Sequence, residues 1–109
     1  EQNASLINAT KERDNKVCIV GTTTMKAVET AAITGNRVKV YSGWSNKFIF
    51  PHYNFDIADA MITNFHPPLS SMLMMVSAFG GYDLIMEAYK HAVEKEYKFL
   101  TYGDAMLII

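Results

Sequence analysis

The chain has 109 residues, half of them hydrophobic and 19% charged, with a formal net charge of −1. That balance fits one globular domain, or part of one, with an apolar core; it excludes a disordered chain and shows none of the basic excess usual in freestanding nucleic-acid-binding domains. No apolar run is long enough to span a bilayer, so no membrane association is expected, and Glu1-Gln2-Asn3 lacks the basic opening of a secretory leader.

In residues 4–13, Leu6 and Ile7 precede the charged run Lys11-Glu12-Arg13, which predicts a short amphipathic helix stopping near Asp14-Asn15. Lys16-Val17-Cys18-Ile19-Val20 reads as a fully buried strand by its β-branched content. Cys18, the single cysteine, reads as a small buried hydrophobe within it. One cysteine builds neither an internal disulfide nor a multi-thiolate zinc site, so no metal is expected, and a reducing, cytoplasmic compartment follows. Gly21 breaks the strand. One of Thr22, Thr23 and Thr24 is expected to cap a helix running to about residue 34, with Met25, Val28, Glu29, Ala32 and Ile33 on its apolar stripe and Gly35-Asn36 as its stop. A strand, a glycine, a threonine-rich turn and a helix together present free N–H groups that attract carboxylates or phosphates. The P-loop lysine pattern and GxGxxG are both absent, so ordinary capping competes with ligand binding at this turn.

Residues 37–43 alternate Val38 and Val40 with Lys39 and Tyr41, the pattern of a strand with one wet face. A turn at 43–46, a strand at 47–50 and a loop at 51–54 follow. Trp44, Phe48, Phe50, Tyr53 and Phe55 form an aromatic-rich group suited to core packing or to base stacking.

The stretch from Asp59 to Gly81 organises the rest. Met61-Ile62-Thr63 predicts a strand. Pro67 and Pro68 keep residues 64–68 in a loop. Ser70 or Ser71 caps the next helix, residues 72–79 are apolar nearly all round and are expected to be covered on several sides, and Gly80-Gly81 ends them. Asn64, His66, Ser70 and Ser71 therefore collect at the carboxyl end of a strand, where open α/β sheets bind ligands. Residues 82–96 form an amphipathic helix with Leu84, Ile85, Ala88, Tyr89, Ala92 and Val93 inward and His91 in water. Residues 97–101 read as a strand, Tyr102-Gly103-Asp104 as a tight turn, and 105–109 as a last strand. The order describes an α/β fold, a mixed sheet with flanking helices.

Several motifs now recur in order: Gly21-Thr22-Thr23-Thr24, Gly43-Trp44, Phe48-Ile49-Phe50-Pro51, Ile62-Thr63-Asn64-Phe65-His66, Ser77-Ala78-Phe79 and Tyr102-Gly103-Asp104-Ala105-Met106-Leu107-Ile108. Together they resemble the C-terminal part of the S-adenosylmethionine:tRNA ribosyltransferase-isomerase family of queuosine biosynthesis. The resemblance implies that residues 1–109 are a fragment of a larger, barrel-like catalytic α/β domain. It implies transfer of the ribosyl group of S-adenosylmethionine to 7-aminomethyl-7-deazaguanine in a tRNA, with rearrangement to epoxyqueuosine and release of adenine and methionine. S-adenosylmethionine is then a consumed substrate, and no cofactor is implied. The chemistry starts with removal of a C5′ proton beside the sulfonium, which needs a base.

On this sequence the resemblance points to His66 and Asp104 as catalytic. It points to Gly21, Thr22, Thr23, Thr24, Asn64, Asp59 and Glu29 as substrate-binding. Turn formation by Asp104, and capping or buried hydrogen bonding by Asp59 and Glu29, are the competing roles. Two positions depart from the family. Leu69 stands where a lysine is usual, and Lys26 replaces an arginine, keeping charge without the bidentate fork. These departures leave open a divergent transferase with another acceptor, or a non-catalytic module of the same fold. A fragment of a two-sided site is expected to be inactive alone, and to dimerise through exposed strand edges or apolar faces.

Overall fold

The computed structural model describes residues 1–109 and comprises four helices, a three-stranded sheet and a short hairpin. In chain order these are α1 (Gln2–Glu12), β1 (Cys18–Val20), α2 (Thr22–Ala31), β2 (Ala32–Ile33), β3 (Arg37–Val38), β4 (Ala60–Asn64), α3 (Ser71–Gly80), α4 (Tyr82–Glu94) and β5 (Ala105–Ile108). β4 is central, with β1 parallel on one side and β5 antiparallel on the other. The α/β class and the mixed sheet agree with the sequence reading.

Register decides which side chains share a face. Ile19 pairs with Met61 and Met61 with Ile108, so one row crosses the whole sheet, and all three side chains are buried. They join Met25 of α2, Val76 of α3 and Ile85 of α4 in one core. Full burial of such a side chain contributes about 2 kcal/mol. The neighbouring row, Val20, Ile62 and Leu107, points the other way, and Val20 and Leu107 are 63% and 59% exposed. Helices thus cover one face and leave the other open. Strand β1 is half-buried as a result, and Cys18 is exposed, contrary to the buried strand and buried thiol expected from composition. With a period of two, covering one face leaves alternate residues uncovered.

The helices follow the same logic. Ser70 caps α3, its hydroxyl accepting from the Leu73 N–H at 3.1 Å. Gly81, at φ 89°, ends α3 and starts α4. Only Met75, Val76 and Ser77 of α3 are buried, and Met72 and Met74 remain partly exposed, so this helix is covered on one side rather than several. In α4 the buried stripe is Ile85, Tyr89 and Ala92, while Leu84 and Val93 lie outside it. Helix α2 ends at Ala31, before the residue 34 expected, because Ala32 turns extended and pairs with Val38. Gly35-Asn36 therefore closes a hairpin rather than a helix, both residues having positive φ. The Asn8 amide clamps that hairpin to α1, donating to Val38 O at 3.0 Å and accepting from Val38 N–H at 2.8 Å.

Three segments with strand composition join no ladder or a shorter one. β3 covers only Arg37–Val38 of the expected 37–43. Residues 47–50 keep the alternation, with Ile49 buried and Phe48 and Phe50 half-exposed, but pair with nothing. Residues 97–101 form a loop, in which Leu100 N–H donates to Phe65 O at 2.9 Å and Lys98 N–H to the Asp104 carboxylate at 2.8 Å. The aromatic group divides. Phe55 packs edge-on against Tyr53 and Phe79, whereas Trp44 is 97% exposed.

Candidate active site

Gly21 couples the threonine turn to the central strand. Its N–H donates to Ile62 O at 2.8 Å, so the start of α2 lies beside the carboxyl end of β4. Gly21 itself is the N-cap, at φ 92°, and no threonine side chain caps the helix. This φ is open to glycine and strained for other residues. The first intrahelical bond runs from Met25 N–H to Gly21 O, so the N–H groups of Thr22, Thr23 and Thr24 have no acceptor in the chain.

A cleft of about 550 Å³ opens at this point, on the uncovered face of the sheet. Gly21, Thr22, Thr23, Asn64 and His66 all line it, joined by Thr63, Leu100, Thr101 and Ala105. None of its 13 lining residues carries a formal charge, so its polarity comes from hydroxyl, amide, imidazole and backbone groups. Five of the nine sequence-predicted residues thus meet across a gap of about 40 positions in the chain.

His66 is held from two sides. Its backbone N–H donates to the Tyr89 hydroxyl at 2.9 Å, and its Nε2 lies 2.8 Å from Thr63 Oγ1. The Thr63 hydroxyl also reaches Asn64 O at 3.2 Å, and the ring's tautomer sets whether its proton goes there or to Nε2. With Nε2 protonated, Nδ1 is the ring acceptor. Burial pushes the imidazole below its ordinary value of 6.5, which keeps it neutral at pH 7. Burial pushes the Tyr89 phenol up, and the bond from His66 N–H only partly offsets this. A neutral imidazole with a free nitrogen in a charge-free cleft is suited to accepting a proton.

The other predicted residues are placed differently. Asn64 Nδ2 donates to Asp104 O at 3.2 Å, which leaves its Oδ1 free of intrachain bonds. The Asp104 carboxylate accepts from Lys98 N–H and ties off the 98–104 turn. Thr24 lines a separate groove, of about 520 Å³, between α1, α2 and the loop after β3. Glu29 is buried and accepts from the N–H groups of Asp56 at 2.7 Å and Ile57 at 3.0 Å, away from the cleft. Asp59 accepts from Lys11 Nζ at 2.8 Å and Val17 N–H at 2.9 Å, also away from it. Burial opposes ionisation of Asp59, but those two bonds and the charges of Lys11 and Lys16 outweigh it and hold the carboxyl below 3.8. Thr63 and Tyr89 are absent from the predicted set. Thr63 has a sequence signal, a hydroxyl three residues before a loop histidine; Tyr89 has none, since it reads as one more inward residue of α4.

The family described as queuosine biosynthesis protein matches residues 1–108. The chain is 54% identical over 104 residues to the S-adenosylmethionine:tRNA ribosyltransferase-isomerase of Phocaeicola vulgatus, covering 95% of this chain and 30% of that protein. It is 52% identical over 109 residues to the one of Bacteroides fragilis, covering 100% of this chain and 31% of that protein. The crystal structure of S-adenosylmethionine tRNA ribosyltransferase from Thermotoga maritima superposes with a TM-score of 0.83 at 43% identity, over 94% of this chain and 36% of that one. The chain therefore spans about a third of the length of the relatives it matches. Sequence motifs, fold and these likenesses agree, and the chain belongs to the queuosine biosynthesis protein family.

Proposed function

We propose that this chain supplies one side of the active site of an S-adenosylmethionine:tRNA ribosyltransferase-isomerase, as the C-terminal portion of its catalytic α/β domain. The observation that carries the proposal is the single cleft in which Gly21, Thr22 and Thr23 face Asn64 and His66. In this reading the neutral His66 takes the C5′ proton of S-adenosylmethionine. Thr63 fixes the ring, Asn64 Oδ1 receives a ribose hydroxyl or adenine edge, and the free N–H groups at the start of α2 receive a carboxylate. The acceptor is 7-aminomethyl-7-deazaguanine in tRNA, and the product is epoxyqueuosine. No charged residue lines the cleft, so the counter-charge for the sulfonium comes from the rest of the longer protein. Asp104 orients Asn64 through its backbone oxygen, while Glu29 and Asp59 act through the frame rather than by touching substrate.

The test is turnover by the full-length protein with S-adenosylmethionine and tRNA carrying 7-aminomethyl-7-deazaguanine, followed by digestion and mass spectrometry of the nucleosides. Epoxyqueuosine that disappears in His66→Ala supports the proposal. Leu69 favours a second reading, since it is fully exposed in the 65–70 loop, at the position where the family pattern that the sequence resembles usually has a lysine. Binding of S-adenosylmethionine without epoxyqueuosine would point to a different acceptor and favour that reading.

A further inference from the structure

Beside the His66 cleft lies a smaller one, of about 230 Å³, and the two share Thr22, Thr23 and Met72 as lining residues. Its chemistry is different. Lys26 and Lys47 line it, with Phe48, and no carboxylate does. From Thr30 to Phe55 the chain contains no acidic residue at all. Neither lysine is in an ion pair; the chain's two salt bridges are Lys11–Asp59 and Arg37–Glu12. Lys47 is held instead by an aromatic, its Nζ donating to the Tyr53 hydroxyl at 3.1 Å and lying 5.0 Å from that ring's centroid.

Phe48 lines the cleft with these cations, and further exposed rings lie on the same segment as Lys47. Phe48 and Phe50 are each about half-exposed, with ring centroids 5.8 Å apart, and Trp44 is almost wholly exposed. The loop that carries them is fixed. Ser45 Oγ lies 2.7 Å from Thr30 Oγ1 of α2 and accepts from Lys47 N–H at 3.3 Å. Unpaired cations interleaved with exposed rings on a fixed loop complement a single-stranded phosphodiester backbone and its bases, because every base has a face to stack and every linkage a negative charge. An apolar partner surface would be complemented by the rings but would leave Lys26 without a counter-charge, and Lys47 with only the link through the Tyr53 hydroxyl to the buried Glu29 carboxylate.

We infer that Lys26, Lys47 and Phe48 form an RNA subsite that holds the nucleotides next to the one entering the His66 cleft, the lysines on phosphates and Phe48 on a base. This rests on the proposed function above and adds the docking surface to it. The near-neutral net charge of the chain is consistent with a local basic surface, since the acids lie elsewhere in the sequence.

The test uses the full-length protein and an anticodon stem-loop RNA carrying 7-aminomethyl-7-deazaguanine. RNA affinity is measured by fluorescence anisotropy over a potassium chloride series, with S-adenosylmethionine affinity measured by calorimetry in parallel. The double variant Lys26→Gln, Lys47→Gln is expected to make the slope of log affinity against log salt shallower by about 1.4, about 0.7 for each lysine. Phe48→Ala is expected to weaken RNA binding about tenfold with an unchanged slope. S-adenosylmethionine affinity is expected to stay the same in all variants. Unchanged slope and affinity in variants that still bind RNA would overturn the subsite and leave the proposed function standing. Loss of thermal stability in Phe48→Ala with unchanged RNA affinity would assign the rings to an interface within the longer protein and overturn it equally. Failure of the unsubstituted protein to bind the RNA while binding S-adenosylmethionine would remove both the subsite and the tRNA acceptor.

Discussion

His66 Nε2 lies 2.8 Å from the hydroxyl of Thr63, three residues earlier in the chain, and this bond folds the 65–70 loop back over the end of β4. Thr63 is itself buried in the strand, so the ring is oriented from a rigid element. Thr63→Val keeps the shape and removes the bond. In the full-length protein it is expected to lower kcat about fivefold with little change in KM, as for one lost hydrogen bond of about 1 kcal/mol. His66→Ala removes the base and is expected to lower kcat about a hundredfold or more. Steady-state kinetics of the two variants separates orientation from proton transfer, and equal, small effects would argue against a base at His66.

Burial holds the His66 imidazole below 6.5 in the folded chain. In the window between that lowered value and 6.5, the unfolded chain binds a proton that the folded chain does not, so stability rises with pH through the window. Above 6.5 the contribution is complete; as pH falls from 6.5 through the folded value it is lost. Urea midpoints measured from pH 5 to 8 should therefore fall on the acid side. The His66→Gln chain should show a flatter profile, and identical profiles would exclude the linkage.

Glu29 carries the 56–58 turn on one buried carboxylate, which accepts from Asp56 and Ile57 N–H groups. Glu29→Ala leaves those donors without a partner and opens a cavity. A loss of about 3 kcal/mol is expected, and Glu29→Gln should lose less because one acceptor oxygen remains. Thermal melts of both variants check this. A stable Glu29→Ala chain with impaired substrate binding would instead return Glu29 to the substrate-binding set.

Gly103 sits where a side chain does not fit. A Cβ there would come within 2.4 Å of Lys98 O and 2.6 Å of Phe99 O, both backbone atoms. Gly103→Ala is expected to cost about 2 kcal/mol or more and to shift Leu100 and Thr101, which line the cleft. Melting temperature and S-adenosylmethionine affinity of the full-length variant should fall together; a fall in neither would mean that the turn relaxes freely.

The open face of the sheet exposes Val20, Leu107 and Ile109 beside unpaired strand edges. The 109-residue chain by itself is expected to self-associate with rising concentration, and Leu107→Lys to suppress this. Sedimentation velocity distinguishes the cases, since a chain that stays monomeric at high concentration shows that this face tolerates water.

The sequence by itself determines what depends on neighbours in the chain. Charge and apolar spacing specify α1 and α4, Ser70 and Gly81 delimit α3, and the prolines at 67 and 68 set the loop that carries His66. The ordered motifs are also enough to identify the family. Tertiary structure decides what depends on partners distant in sequence. Residues 47–50 and 97–101 have strand composition but join no ladder, because a strand needs a partner edge: in 97–101 the backbone goes to loop contacts such as Leu100 N–H to Phe65 O, and in 47–50 Phe50 O accepts from Tyr53 N–H in a local turn. Cys18 and Leu84 are apolar and exposed, because composition marks a side chain for burial but register and helix placement choose which face is covered. The meeting of Gly21 with Ile62, and of Tyr89 with His66, belongs to the same class. A backbone N–H or a hydroxyl reveals in sequence that it needs a partner, and only the packed chain reveals which one it finds.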